Sequence, residues 1–154
     1  MVYPHYQNMD TLFQVSSISG VIQLAVAPVF LLAGISGALI VMSNRLGRIV
    51  DRGRFLKDKK PSASEEDLPL IRAELNRLDI RASWTNWAIT LATACALLVC
   101  LVIVSLFLGA VFDVNLNNFI ALLFVLAMLC LSSAFMLFLR EIRMSTSAFE
   151  FHED

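Results

Sequence analysis

Hydrophobic and polar positions are separated into long blocks along this chain. No Asp, Glu, Lys or Arg occurs in three stretches, residues 11–44, 82–112 and 114–139. A helix needs about 20 apolar residues to cross the hydrocarbon core of a bilayer, so each stretch is long enough for one crossing and too short for two. The pattern therefore predicts three membrane-spanning helices, at about residues 18–42, 85–111 and 119–139.

The segments outside these spans are too short for a separate soluble domain. We predict one all-α membrane domain over residues 1–154, with a cytoplasmic helical loop at 43–84 and a cytoplasmic tail at 140–154. Apolar residues continue at helical spacing after the first span and return before the second, on either side of a polar break at 57–64. Two amphipathic helices of this kind can pack as an antiparallel hairpin that extends the bundle beyond the membrane.

Basic residues predict the orientation of the spans. Ten of the twelve Lys and Arg residues lie between Arg45 and Arg81, and the other two are Arg140 and Arg143. The positive-inside rule places both segments in the cytoplasm and the amino terminus in the periplasm. The loop carries a net charge of only +3 and the tail −2, so membrane lipid is a predicted partner and nucleic acid is not.

Composition excludes the usual soluble classes. Hydrophobic residues make up 58% of the chain and charged residues 16%, whereas about a quarter of an ordinary soluble domain is charged. Cys95, Cys100 and Cys130 all lie in predicted spans, where we expect them to pack as small apolar residues. No motif for catalysis, cofactor binding or metal ligation is present, so we predict neither an enzyme nor a cofactor or metal site.

The first span differs from the other two along one face. A heptad register that starts at Gly20 gives small or polar residues at almost every a and d position, with Val41 among the exceptions. We call this face the seam, and its candidate functional residues are Ser16, Gly20, Gln23, Ala27, Phe30, Gly34, Gly37, Asn44, Arg48 and Asp51.

The seam supports two interpretations. Small residues allow helix backbones to approach closely, which is how helices commonly associate in lipid. Alternatively, copies of the first helix surround an axis and the seam lines a pore, because polar groups at membrane depth usually face protein or water. In that arrangement Phe30 would form a hydrophobic constriction.

Two further features lie where the polar loop meets the spans. Trp84 and Trp87 are the only tryptophans, and their position predicts that they are interface anchors. Arg48 and Asp51 stand three residues apart, a spacing that suits an exposed ion pair on one helix.

Several runs resemble a known family. They include Ile-Gln at 22–23, Ala-Pro-Val-Phe-Leu-Leu-Ala-Gly at 27–34, Asn-Arg-Leu-Gly-Arg-Ile-Val-Asp-Arg at 44–52, and the segment 75–108. They are similar to a bacterial family of small membrane proteins catalogued as domain of unknown function 2721. The resemblance implies three spans and a bacterial inner-membrane location, and it implies no activity.

The leading hypothesis is a homo-oligomer that forms a channel-like or pore-like assembly around the first helix. The alternative is a structural or adaptor subunit that recruits a cytoplasmic protein through its helical hairpin. A third hypothesis is lipid organisation, in which Trp84, Trp87 and the basic loop contact anionic headgroups.

Overall fold

A computed structural model describes residues 5–146, with side chains for residues 19–144. The described chain forms helix α1 (His5–Lys59), one turn of 3-10 helix (Lys60–Ser62), helix α2 (Leu68–Phe112) and helix α3 (Asn117–Thr146). All three α-helices contain a segment long and apolar enough to cross a membrane. The prediction of an all-helical protein with three potential spans is therefore confirmed.

Helix α1 continues through the boundary between its apolar and charged halves. Its 55 residues correspond to about 80 Å, more than twice the thickness of a hydrocarbon core. The helix includes Pro28, whose missing N–H leaves the carbonyl of Leu24 without its usual helical donor. It ends at Lys59, just before the Pro61 turn that the polar break predicted.

Beyond the apolar segments, α1 and α2 pack against each other through residues 45–81, which we call the polar hairpin. Ile49 and Leu56 of α1 form a buried cluster with Ile71 and Leu78 of α2, and Leu75 and Ala82 pack against it. The two apolar stripes predicted from the sequence therefore meet.

A tight turn joins α2 to α3. Asp113 ends α2 in the left-handed region, at φ 52° and ψ 38°, a conformation that Asp tolerates better than most residues. The N–H of Val114 donates to the carbonyl of Gly109 at 3.1 Å. A Cβ atom on Gly109 would lie 3.3 Å from the carbonyl oxygen of Val114, so the close return of the chain favours glycine there.

Buried residues recur at seven-residue intervals, which is typical of helices that wrap around one another. On α1 they include Ile35, Met42, Ile49 and Leu56, and on α2 Ile71, Leu78, Thr85, Ala92 and Val99. Helix α2 packs against both α1 and α3. One layer joins Ile35, Cys95, Val99 and Ala127, and the next joins Met42, Ala88, Ala92 and Ala134.

Polar side chains within the apolar segments bond to their own helices. The hydroxyls of Thr90, Thr93, Ser132 and Ser133 each donate to the carbonyl four residues earlier, at 2.8–2.9 Å. Local bonds of this kind satisfy a hydroxyl without a partner helix. These residues therefore need no functional explanation.

Candidate functional site: the outward seam and the arginine cavity

The seam lies on the outside of the bundle. The buried residues of α1 lie next to the seam in sequence: Ile35, Met42 and Ile49 each come one residue after a heptad position of the seam. One residue corresponds to about 100° of rotation around the helix axis, so the seam and the buried face point in different directions. Every seam residue whose side chain is described is exposed: Gly20, Gln23, Ala27, Phe30, Gly34, Gly37, Asn44, Arg48 and Asp51. Ser16 lies outside the residues whose side chains are described.

Packing within the monomer does not explain the small residues of the seam. A Cβ atom built on Gly20, Gly34 or Gly37 would meet nothing within 4 Å. Phe30, between these glycines, keeps 74% of its surface exposed. The seam is thus a shallow surface on α1 that its own α2 and α3 leave uncovered.

The charged residues at the polar end of the spans form a second, buried feature. Glu141 of α3 is 0% exposed, and its Oε1 accepts a hydrogen bond from Nη2 of Arg81 at 2.9 Å. Its Oε2 lies 3.2 Å from Nε of Arg45. One carboxylate therefore joins α1, α2 and α3, and we call these three residues the ion cluster.

Neighbouring groups hold the ion cluster in place. The side chains of Arg45 and Arg81 are only 22% and 23% exposed. The guanidinium of Arg45 also lies over the ring of Phe138, 5.6 Å from its centroid, at a distance suited to a cation–π contact. These contacts restrict both guanidinium groups before any ligand arrives.

A cavity of about 250 Å³ opens beside the ion cluster. Seven of the described side chains line it, and four of these are arginines: Arg45, Arg48, Ile49, Arg52, Leu78, Arg81 and Glu141. We call it the arginine cavity. Of the seam residues, Arg48 is the one that also lines this cavity.

Ion pairs on the polar hairpin differ from the expected one. Asp51 lies 3.9 Å from Nη1 of Arg54, with both side chains largely exposed, rather than pairing with Arg48. Arg52 donates to Oε1 of Glu74 through Nε at 3.0 Å and Nη2 at 2.9 Å, which crosses from α1 to α2. The expected Arg48–Asp51 pair is therefore absent from the described ion pairs.

The two tryptophans lie beside this end of the spans. Trp84 is half-buried beneath Arg140, whose guanidinium carbon is 4.2 Å from the ring centroid. Trp87, one turn further along α2, is exposed. Their role as interface anchors stays a prediction.

Sequence reasoning missed three residues of this region, namely Arg45, Arg81 and Glu141 as a connected group. The sequence does place all three at the polar ends of the charge-free stretches. Arg45 directly follows the stretch of α1, and Arg81 directly precedes the stretch of α2. Glu141 comes two residues after the stretch of α3. Three charged residues at equivalent boundaries of neighbouring spans must lie at similar depth, and one of them is acidic.

Metal binding finds no support in the described residues. Within residues 19–144, no three His, Cys, Asp or Glu side chains are grouped so that they could hold a metal ion. The arginine cavity offers guanidinium donors, which bind anions instead.

Comparison with known proteins places these features in a family context. The family model described as "Protein of unknown function (DUF2721)" matches residues 25–151. This range contains most of the seam, the polar hairpin and the whole arginine cavity. Neither the curated proteins nor the solved structures contain a significant match.

Proposed function

We propose that this chain, which belongs to the DUF2721 family, is a homo-oligomeric membrane protein whose copies associate along the seam of α1. A closed ring of such copies would form a channel-like or pore-like assembly around α1. The observation that carries the proposal is that every described seam residue is exposed, including three glycines with open space above them. The proposal includes no catalytic step, cofactor or metal.

Membrane energetics favour a protein partner for this surface. Lipid tails are as apolar as Leu, so helices in a bilayer associate through close packing and interhelical hydrogen bonds. Gly34 and Gly37 leave a shallow surface that a second backbone can approach. Gln23 is also exposed. Its polar side chain is more stable next to protein or water than next to acyl chains.

We propose an inner-membrane location, with the amino terminus in the periplasm and both the polar hairpin and carboxyl terminus in the cytoplasm. Ten of the twelve basic residues lie between the first two spans, and the positive-inside rule supports this orientation. Phe30 and the two mid-span glycines would then face the neighbouring copy within the bilayer.

Cysteine cross-linking tests the association. In a background with Cys95, Cys100 and Cys130 replaced by alanine, Gly34→Cys places a thiol on the seam. Leu129→Cys is the matched control, because Leu129 is exposed on α3 and, like Gly34, lies eleven positions from the nearest charged residue at the polar end. We expect oxidation in membranes to give dimers from Gly34→Cys and few from Leu129→Cys. Equal cross-linking of the two variants would contradict the proposal.

The pore requires a separate measurement. Native mass spectrometry of the nanodisc-embedded protein should show a closed assembly of several copies. Liposomes that contain it should conduct ions, and Gln23→Leu or Arg48→Gln should change the flux. A multimer without flux above that of empty liposomes would reject the pore and keep the oligomer, whereas a monomer would reject both.

The polar hairpin supports the second candidate, an adaptor subunit. Phe55 and Leu70 are exposed apolar residues on the hairpin, each about 15 Å along its helix from the charged boundary of the span. Exposed Arg72 and Arg77 follow Leu70 along α2. An adaptor predicts that Arg72→Glu with Arg77→Glu abolishes capture of a partner while Gln23→Leu has no effect. The opposite pattern would favour the seam.

A further inference from the structure

The arginine cavity carries more positive charge than its acids neutralise. Glu141 is shared by Arg45 and Arg81, and Glu74 is bound by Arg52. Arg48 also lines the cavity and forms no ion pair with any acid among the described side chains. Among the described side chains that line the cavity, four are arginines and one is a carboxylate, and Glu74 adds a second carboxylate next to Arg52. Arginines therefore outnumber the described acids at this site.

Arginine geometry selects the kind of anion. A guanidinium presents its N–H groups in a planar fork that matches the oxygens of phosphate and carboxylate groups. The cavity of about 250 Å³ corresponds to the volume of roughly eight water molecules, which accommodates a phosphate ester. Because the ion cluster already restricts Arg45 and Arg81, little side-chain entropy is lost when a ligand binds.

The position of the cavity indicates where the phosphate would come from. Arg45 and Arg81 border the charge-free stretches of α1 and α2, and Glu141 lies two residues beyond that of α3. This level of a membrane protein coincides with lipid headgroups, where basic pockets between spans bind anionic lipids. A soluble phosphate compound has the same recognition chemistry and reaches the cavity from the aqueous side.

We propose that the arginine cavity is a binding site for a phosphate group, carried by an anionic lipid headgroup or by a soluble phosphate compound. Arg48 and Arg52 would provide the accessible donors, and Arg45 and Arg81 the fixed positive wall. Every side chain that forms this site belongs to one copy of the chain, and Arg48 belongs both to this site and to the seam.

A pair of double variants tests the site in the full-length protein. Arg48→Gln with Arg52→Gln removes two cavity charges and leaves the ion cluster intact. Arg72→Gln with Arg77→Gln removes the same charge from exposed positions of α2 that do not line the cavity. Circular dichroism and size-exclusion chromatography test whether both variants keep the helical fold and the assembly state of the parent.

The probes are short-chain phosphatidylglycerol, short-chain phosphatidylcholine and inorganic phosphate, added to protein in neutral detergent. Lipid binding is counted by native mass spectrometry, and phosphate binding by equilibrium dialysis. We expect phosphatidylglycerol or inorganic phosphate to bind the parent. A hydrogen bond between charged groups contributes about ten-fold or more to affinity, so loss of two donors should make the cavity variant bind about 100-fold more weakly. The control variant loses no donor at the cavity and should change little.

The outcomes separate the two sources of phosphate. Binding of phosphatidylglycerol alone identifies a lipid headgroup site, whereas binding of inorganic phosphate with competition between the probes identifies a general phosphate site. Equal losses in the cavity and control variants would show diffuse electrostatic attraction and overturn the proposal. The absence of binding by any probe, or equal binding of phosphatidylcholine and phosphatidylglycerol, would also overturn it.

Discussion

Replacement of Glu141 with glutamine tests whether the ion cluster stabilises the bundle. Glu141 is completely buried, and its two partners retain only about a fifth of their surface exposed. Removal of one member of a buried ion pair leaves an uncompensated charge and typically costs about 3–5 kcal/mol. Because the two arginines can rehydrate in part, we expect a loss near the lower limit, about 3 kcal/mol.

Glu74→Gln provides the matched control. Both glutamates accept a hydrogen bond from an arginine of another helix at 2.9 Å. They differ in burial, since Arg52 and Glu74 are 53% and 43% exposed. Solvent-exposed pairs of this kind contribute at most about 1 kcal/mol, so Glu74→Gln should have little effect on unfolding.

The assay is unfolding in mixed micelles of neutral detergent and SDS, followed by circular dichroism and by the fluorescence of Trp84 and Trp87. A loss of about 3 kcal/mol corresponds to a roughly 150-fold change in the unfolding equilibrium. Simultaneous replacement of Arg45, Arg81 and Glu141 with leucine should recover most of this loss, because no charge then stays buried. If Glu141→Gln costs no more than Glu74→Gln, burial does not control the strength of these pairs and the reasoning is refuted.

Three further substitutions test other parts of the fold by the same unfolding measurement or by proteolysis. Met42→Ala should lower the free energy of unfolding by about 2–5 kcal/mol, because Met42 is fully buried and its truncation opens a cavity. Met136 is exposed, so Met136→Ala should change the stability little. Asp113→Val should cost about 1–2 kcal/mol, because a β-branched residue is strained at positive φ. Leu56→Ala should accelerate tryptic cleavage of the polar hairpin, and exposed Phe55→Ala should not; equal rates for the last two would contradict the hairpin packing.

Charge-free stretches predicted the three helices well because each stretch is long enough for one helix to cross the hydrocarbon core of a bilayer. A crossing helix excludes ionised side chains over about 20 residues, so the pattern depends on local sequence and not on tertiary contacts. The stripe on the polar hairpin was predictable for a similar reason. Ile49 and Leu56 need an apolar partner, and Ile71 and Leu78 supply one on the helix that begins after the Pro61 turn. In both cases the local sequence contains the necessary information.

The seam shows where periodicity stops being informative. Small residues suit close packing inside a monomer and between copies equally well, and the heptad of Gly20, Gly34 and Gly37 does not distinguish these cases. The side that faces the bundle is set by the larger residues at the next position, such as Ile35 and Met42. The structure separates the two faces and leaves the described residues of the seam exposed.

The ion cluster was not predictable from one helix at a time. Arg45 and Arg81 each look like ordinary basic residues at the end of a span, where long side chains commonly reach toward the headgroups. Glu141 is the informative residue, because an acid that joins two arginines at the same boundary lowers the cost of burying all three charges. A charge at the end of one span should therefore be assessed together with those at the matching ends of its neighbours. In this chain that comparison brings α1, α2 and α3 to one carboxylate and locates the arginine cavity beside it.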